Sequence, residues 1–215
     1  VNVFHFTDIQ NLNSIFRAGA LLSEAVLPRA NEVVRHIDPR VMEGRRNRDV
    51  PVEPGGQLTD YVPFYFASRS PMLYRVATGV NVTNGVTPQD NLVFFILNLG
   101  ESPRGVLDSR RVLVTNGHAL SGFAEFRSAT RANIEDLVDF DVINAFMWSN
   151  TAEDPYRMHR RQAEILVHRQ VPLESSFISL AVNSQSALNR IHDMLRNHRL
   201  NLQCRIQPDL FYPKR

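Results

Sequence analysis

Four stretches of the chain combine ionisable or aromatic side chains with strand-like surroundings: HFT at 5–7, RRNR at 45–48, DYVPFYFASRSPMLY at 60–74 and RRQAEILVH at 160–168. Glu164 is the sharpest feature. It opens an otherwise apolar run over residues 163–167, where a carboxylate facing a cleft would be held rigidly and partly desolvated. An ion pair with Arg160 or Arg161 is the plainer reading, and spacing alone does not choose between the two. His5 and Thr7, two apart on a strand, project an imidazole and a hydroxyl from one face, a pair able to clamp a ribose or an amide edge. A lone strand histidine is more often structural than catalytic. The arginines supply planar, bidentate donors suited to phosphates and base edges.

Common phosphate cradles and zinc sites are excluded. The chain has no Walker loop, GxGxxG fingerprint, HExxH or CxxC pair. Its single cysteine, Cys204, makes no internal disulfide, and a reducing, cytoplasmic location is expected.

These residues must be positioned by elements legible in the pattern. VNVFHF alternates as a strand, NLNSIFRAG follows as a helix stopped at Gly19, and residues 28–47 are expected to form a helix interrupted near Pro39. YVPFYFA predicts a strand in which Pro63 argues for an edge or a bulge. SRSPMLYRVATG predicts a helix with Ser70 as N-cap and Pro71 in the first turn. Residues 80–90 are polar turn material. LVFFILNL is apolar on both faces and predicts a central strand; RVLVT, AEILVH, FISLAV and LQCRI are further strands. SQSALNRIHDMLRNH is an amphipathic helix capped by Ser184 or Ser186. Residues 116–154 show no clean strand and are expected to be helical pieces and an ordered loop. The succession predicts a mixed α+β domain.

With 215 residues, 43% of them hydrophobic, the chain suffices for one domain with a real core, and no apolar run approaches the ~20 residues of a membrane span. It begins at Val1 within a strand-like segment, so no cleavable signal is expected. The net charge is +2, and every cation of the 24 except Lys214 is arginine. Two basic segments, one between Arg29 and Arg48 and one between Arg157 and Arg169, contain RRNR and the run around Glu164. Such charge runs are usually solvated faces.

Together, GGQLTDYVPFYFASRSPMLY, RRNR, RRQAEILVH and the opening HFTDIQNL resemble the DarT family, bacterial toxins that ADP-ribosylate bases in single-stranded DNA; the likeness runs from His5 to the aromatic tail DLFYP. The resemblance implies an ADP-ribosyltransferase-like α+β fold with a central split mixed β-sheet and flanking helices. It implies one domain over residues 1–215, with about 28–49 covering NAD and about 116–164 recognising the acceptor. His, an aromatic and Glu on three strands correspond to His5, Tyr65 and Glu164. NAD, the substrate, would meet His5, Phe6, Thr7, Ser14, Leu22, Arg46 and Tyr65, with Arg46 and Glu164 catalytic, and no metal is needed. His118 would lie near the DNA. By position, Arg45, Arg48, Arg69 and Arg161 are expected to contact phosphates or bases, and Tyr61 to stack on a base. The implied partners are single-stranded DNA and a macrodomain antitoxin, with no membrane.

Cleavage of the nicotinamide–ribose bond builds an oxocarbenium-like centre that a fixed, ionised Glu164 would stabilise, and an adjacent Arg46 would hold the pKa of that carboxyl low. The expected acceptor is thymidine, whose ring nitrogen must lose a proton as it attacks. A guanidinium is a poor base. Arg46 is therefore expected to bind the base carbonyl, the developing imide anion and the NAD phosphates, while Glu164, water or His118 takes the proton. The alternatives are an ADP-ribosyltransferase acting on protein or RNA, a non-catalytic single-strand binding module, and a metal-independent nuclease.

Overall fold

The computed structural model describes residues 1–27, 38–80, 85–100, 110–174 and 176–213. The first part of the helix expected from Pro28, with residues 28–37 of the 28–49 segment, lies outside the described residues, as do residues 81–84 of the expected turn. In chain order the strands and α-helices are β1 (Asn2–Asp8), α1 (Leu12–Ala18), β2 (Ala20–Leu22), α2 (Pro39–Arg46), β3 (Tyr61–Tyr65), α3 (Pro71–Thr78), β4 (Leu92–Asn98), β5 (Val112–Thr115), β6 (Phe126–Ser128), α4 (Arg131–Leu137), α5 (Phe140–Asn144), α6 (Arg157–Arg160), β7 (Glu164–His168), β8 (Gln170–Pro172), β9 (Ile178–Val182), α7 (Gln185–His198) and β10 (Cys204–Ile206).

One sheet runs β10-β9-β4-β1-β3-β7-β5-β6, antiparallel throughout except for the parallel β10–β9 pair; β2 and β8 form a separate ribbon. The sheet is split at its middle. Where β1 pairs with β4 along its whole length, it meets β3 only at Phe4↔Tyr65. Beyond that point the two strands separate, and His5 Nδ1 bridges the gap to the Pro63 carbonyl at 2.8 Å. This explains Pro63. A strand residue's N–H and C=O point to the same side, so the N–H that proline lacks would have faced the split, where no ladder exists to lose.

Both faces of β4 are packed, as its unbroken apolar run predicts. Val93, Phe95 and Leu97 join a large core that includes Leu12, Phe16, Ile191 and Leu195, while Leu92, Phe94 and Ile96 pack with Met72, Leu73, Val76 and Phe211. In α7 the buried residues Ala187, Ile191 and Leu195 fall four apart, one stripe of the helix, and the Ser184 side chain caps its start. In α3 the Ser70 side chain accepts from the Leu73 N–H with Pro71 in the first turn, and Gly79 ends the helix at φ +75°. Asp38 likewise caps α2 through its side chain, and Pro39 is the first residue of this helix. Residues 116–154 contain the short strand β6 as well as helical pieces. Among the described residues no helix is long and apolar enough to cross a membrane.

Candidate active site

The separation of β1 from β3 opens a cavity of about 340 Å³. His5, Phe6 and Thr7 supply one wall, Tyr61 to Pro63 and Tyr65 the opposite one, and Ser14 and Leu22 close it from α1 and β2. Six residues expected around NAD (His5, Phe6, Thr7, Ser14, Leu22 and Tyr65) thus line one space. Arg45 lines it too; Arg46 is absent from its walls.

His5 is fixed in one tautomer. The Pro63 carbonyl can only accept, so Nδ1 carries the proton and Nε2 offers a lone pair. Burial, opposed by the bond to Pro63 and reinforced by the Arg45 charge, lowers its pKa to about 4, so the ring is neutral near pH 7. Thr7 Oγ accepts from Asn11 Nδ2 at 2.9 Å, leaving the hydroxyl proton to donate.

Glu164 is fully buried at the start of β7 and pairs in register with Tyr65. Its backbone N–H donates to Thr115 Oγ1 (3.0 Å). Oε1 accepts from the Ala119 N–H (3.1 Å) and faces His118 Nδ1 (3.4 Å), and Oε2 accepts from Arg45 Nη1 (3.2 Å). Burial pushes the carboxyl pKa upward, but the bond from His118 and the charge of Arg45, helped by the Ala119 amide, outweigh it and leave the pKa below the ordinary value. The result is a dehydrated, rigid, ionised carboxylate. It also raises the pKa of the Tyr65 hydroxyl beyond what burial does alone.

The simple salt bridges that competed for Glu164 are not made. Arg160 pairs with Asp139 and Asp154, and Arg161 gives its guanidinium to backbone carbonyls. A family model described as ssDNA thymidine ADP-ribosyltransferase, DarT, matches residues 4–212. The chain belongs to the DarT family. It is 33% identical over 198 residues to the DNA ADP-ribosyl transferase of Mycobacterium tuberculosis (strain ATCC 25618 / H37Rv), covering 90% of this chain and 81% of that one. It is 34% identical over 173 residues to that of Thermus sp. (strain 2.9), covering 79% and 76%. Thermus sp. 2.9 DarT in complex with ADP-ribosylated ssDNA superposes with a TM-score of 0.83 at 28% identity, over 98% of this chain and 96% of that one. The same protein in complex with NAD+ gives 0.80 over 98% and 97%.

Within this DarT fold several expected contacts are corrected. Arg45, not Arg46, is the arginine beside Glu164. Consecutive helix residues point about 100° apart, so only one of the pair can face inward. Arg45 does, its Nη2 also donating to the Leu58 carbonyl at 3.2 Å, and this removes it from the exposed surface where a DNA contact was expected. Arg46, 53% exposed, turns to Glu24 through Nε at 2.8 Å; Glu24 itself lines the cavity. Arg161 is buried, holding the Val142 and Ala145 carbonyls at 2.8 and 2.9 Å and also that of Ile143, so it braces the C-terminal end of α5 rather than lying on the surface where a DNA contact was expected. Tyr61 is buried against His168 with its hydroxyl donating to Gly55 O at 2.6 Å, which withdraws it from the surface where base stacking was expected.

Arg69 Nε donates to the Phe211 carbonyl (2.7 Å), tying the tail to the turn before α3. Arg48 is half-buried, with Nη2 on Ser121 O (3.2 Å) and its guanidinium 6.0 Å from the Phe126 centroid. His118 sits beside the carboxylate, its Nδ1 3.4 Å from Glu164 Oε1. Sequence reasoning missed Thr115 and the Ala119 amide, which announce themselves by no motif. It also missed Asp38, held by Arg75 at 2.9 Å in the cavity wall, although its place before Pro39 was a visible N-cap signal. Among the described residues no cluster of His, Cys, Asp and Glu is placed to hold a metal ion.

Proposed function

We propose that this chain transfers ADP-ribose from NAD to thymine in single-stranded DNA, with NAD in the cavity between β1 and β3 and Glu164 at the reacting sugar. The observation that carries this reading is the junction of the two parts: Arg45 lines the cavity and grips Glu164 Oε2 at 3.2 Å. Apolar walls at Phe6, Leu21 and Met72 suit a flat ring, and His5 Nε2, Thr7 and Ser14 offer acceptor and donor groups to sugar hydroxyls or an amide.

As the nicotinamide–ribose bond breaks, positive charge grows at the ribose carbon, and a preorganised carboxylate lowers the energy of that state most where water is excluded. Glu164 meets both conditions. Arg45 keeps it ionised, and Arg46, once it leaves Glu24, can reach phosphates or the base carbonyl from the cavity rim. The base must be unpaired, because its ring nitrogen is hidden in a duplex. Proton removal falls to Glu164, to His118 beside it, or to water. In this reading residues 28–49 cover NAD, residues 116–164 recognise the acceptor, and the protein is a cytoplasmic toxin restrained by a macrodomain antitoxin.

The test is incubation with NAD and mixed single-stranded oligonucleotides, followed by mass spectrometry. Wild type should add one ADP-ribose per modified thymine and Glu164→Ala none. A mass increase on co-incubated protein or RNA, with DNA unchanged, would reject the DNA acceptor.

A further inference from the structure

Phe123 and Tyr156 are 73% and 54% exposed, yet their rings touch edge to face with centroids 5.8 Å apart. Each belongs to a segment anchored at Glu164. The Phe123 N–H donates to Ser121 Oγ, and the Ser121 N–H to the carbonyl of His118, whose ring faces the carboxylate. Tyr156 directly precedes α6, where the carbonyl of His159 accepts from the His118 N–H. Two separate stretches of chain therefore converge beside the catalytic carboxylate and each leaves an aromatic ring in solvent.

The apolar surface continues past them. Arg157 Nε donates to the Met147 carbonyl at 2.9 Å, bringing Phe146 and Met147 alongside, 85% and 65% exposed. Positive charge reaches the same turn through Arg48 on Ser121 O. Uncovered aromatics next to a guanidinium at the rim of an active site suit a strand of unpaired bases, whose rings stack on aromatic faces while phosphates seek cations.

We propose that Phe123 and Tyr156 form a stacking platform for the base adjacent to the acceptor thymine in single-stranded DNA. This rests on the DNA-transferase reading above. The occupant follows from continuity: a strand that delivers one base to Glu164 must lead its neighbouring nucleotide over the 118–123 and 156–159 segments. The platform takes over the stacking role expected of Tyr61.

The experiment measures fluorescence anisotropy of a labelled single-stranded oligonucleotide containing one thymine, bound to the Glu164→Gln protein and to the same protein carrying Phe123→Ala or Tyr156→Ala. Both rings are on the surface, and thermal melting checks that the folds match. Each alanine should weaken binding by about 5- to 150-fold, the range that loss of one stacked base gives. An abasic residue beside the thymine should weaken the parent similarly and the alanine variants hardly further. Unchanged binding in both variants, or abasic and alanine losses that multiply in full, would overturn the platform and leave the patch to another partner. Transfer by the wild-type protein is scored separately: absence of transfer to DNA would sink the transferase reading, whereas transfer with unchanged binding in both alanine variants would sink the platform alone.

Discussion

Arg45 and Glu164, 119 residues apart, meet in a buried ion pair at 3.2 Å that joins the cavity-facing side of α2 to the first residue of β7. Neither charge has water to fall back on, so the pair matters most when half of it is removed. Arg45→Ala should destabilise the fold by about 3–5 kcal/mol, because the carboxylate remains buried without its cation. Pairing it with Glu164→Gln should recover much of that loss, since a neutral amide no longer needs the guanidinium. Urea denaturation of the two single variants and the double variant measures the coupling; simple additivity would show that the pair carries no special energy.

Arg46 separates activity from stability. Its partner Glu24 lies at the cavity rim and the guanidinium is mostly solvated, so Arg46→Ala should shift stability by less than about 1 kcal/mol. If Arg46 binds the phosphates and the thymine carbonyl, the same variant should lose at least about 100-fold in transfer, a typical cost of removing one preorganised transition-state donor. Arg46→Lys keeps the charge without the fork and should recover part of the activity with an unchanged pH profile. Full activity in Arg46→Ala would shift the electrostatic role onto Arg45.

The fold was largely readable because its signals are local. Ser70 before Pro71, Gly19 and Gly79 after apolar helix faces, and the unbroken run over residues 92–98 each state an element's identity within a few residues. Asp38 aside, the misses are non-local. Strands β2, β6 and β8 have three residues each, too short for a period to register, and exist because a partner strand is at hand. Glu164 was legible as an odd carboxylate in an apolar strand. Which arginine served it was not, because Arg45 and Arg46 are chemically identical and differ only in helix phase against a wall built from distant residues. Tyr61 and Arg161 misled for a related reason: an aromatic or a cation in a functional-looking stretch gives no sign of whether tertiary packing will bury it.

His5 makes stability fall on the acid side. Its pKa is about 4 in the fold against an ordinary value near 6.5, so protons bind the unfolded chain better. Its contribution is therefore complete above the unfolded value and is lost as pH falls between about 6.5 and 4. For one such group this amounts to about 2 kcal/mol by pH 5. His5→Gln retains a donor for Pro63 and cannot titrate in this range. Its unfolding free energy should decline less than wild type's over that interval, and parallel profiles would remove His5 as the cause.

Gly117 is required by what lies against it. A Cβ at this position would collide with the His159 imidazole, whose Nε2 is buried without a hydrogen-bond partner. Forcing the ring away moves the next two residues, His118 and Ala119, which hold Glu164 Oε1. Gly117→Ala should cost about 1–3 kcal/mol in stability and a larger share of transfer activity. Trimming the obstacle in Gly117→Ala/His159→Ala should restore stability first. A single variant as stable and active as wild type would show that the turn has room to adjust.

NAD binding and chemistry should come apart at Thr7 and Glu164. Thr7 lines the cavity and keeps a hydroxyl proton after accepting from Asn11, whereas Glu164 adjoins the cavity through its ion pair with the lining residue Arg45 at 3.2 Å. Thr7→Val removes one ligand hydrogen bond in nearly the same volume, so NAD affinity should fall by several-fold to about tenfold, the net worth of one hydrogen bond. Glu164→Gln keeps the Ala119 contact and the cavity outline, so NAD should bind within about threefold of wild type, well under one hydrogen bond's worth, while transfer is lost. Calorimetric titration of NAD into both variants, beside a transfer assay, decides the matter: a carboxylate that contributes mainly to ground-state binding would weaken NAD in Glu164→Gln as much as Thr7→Val does.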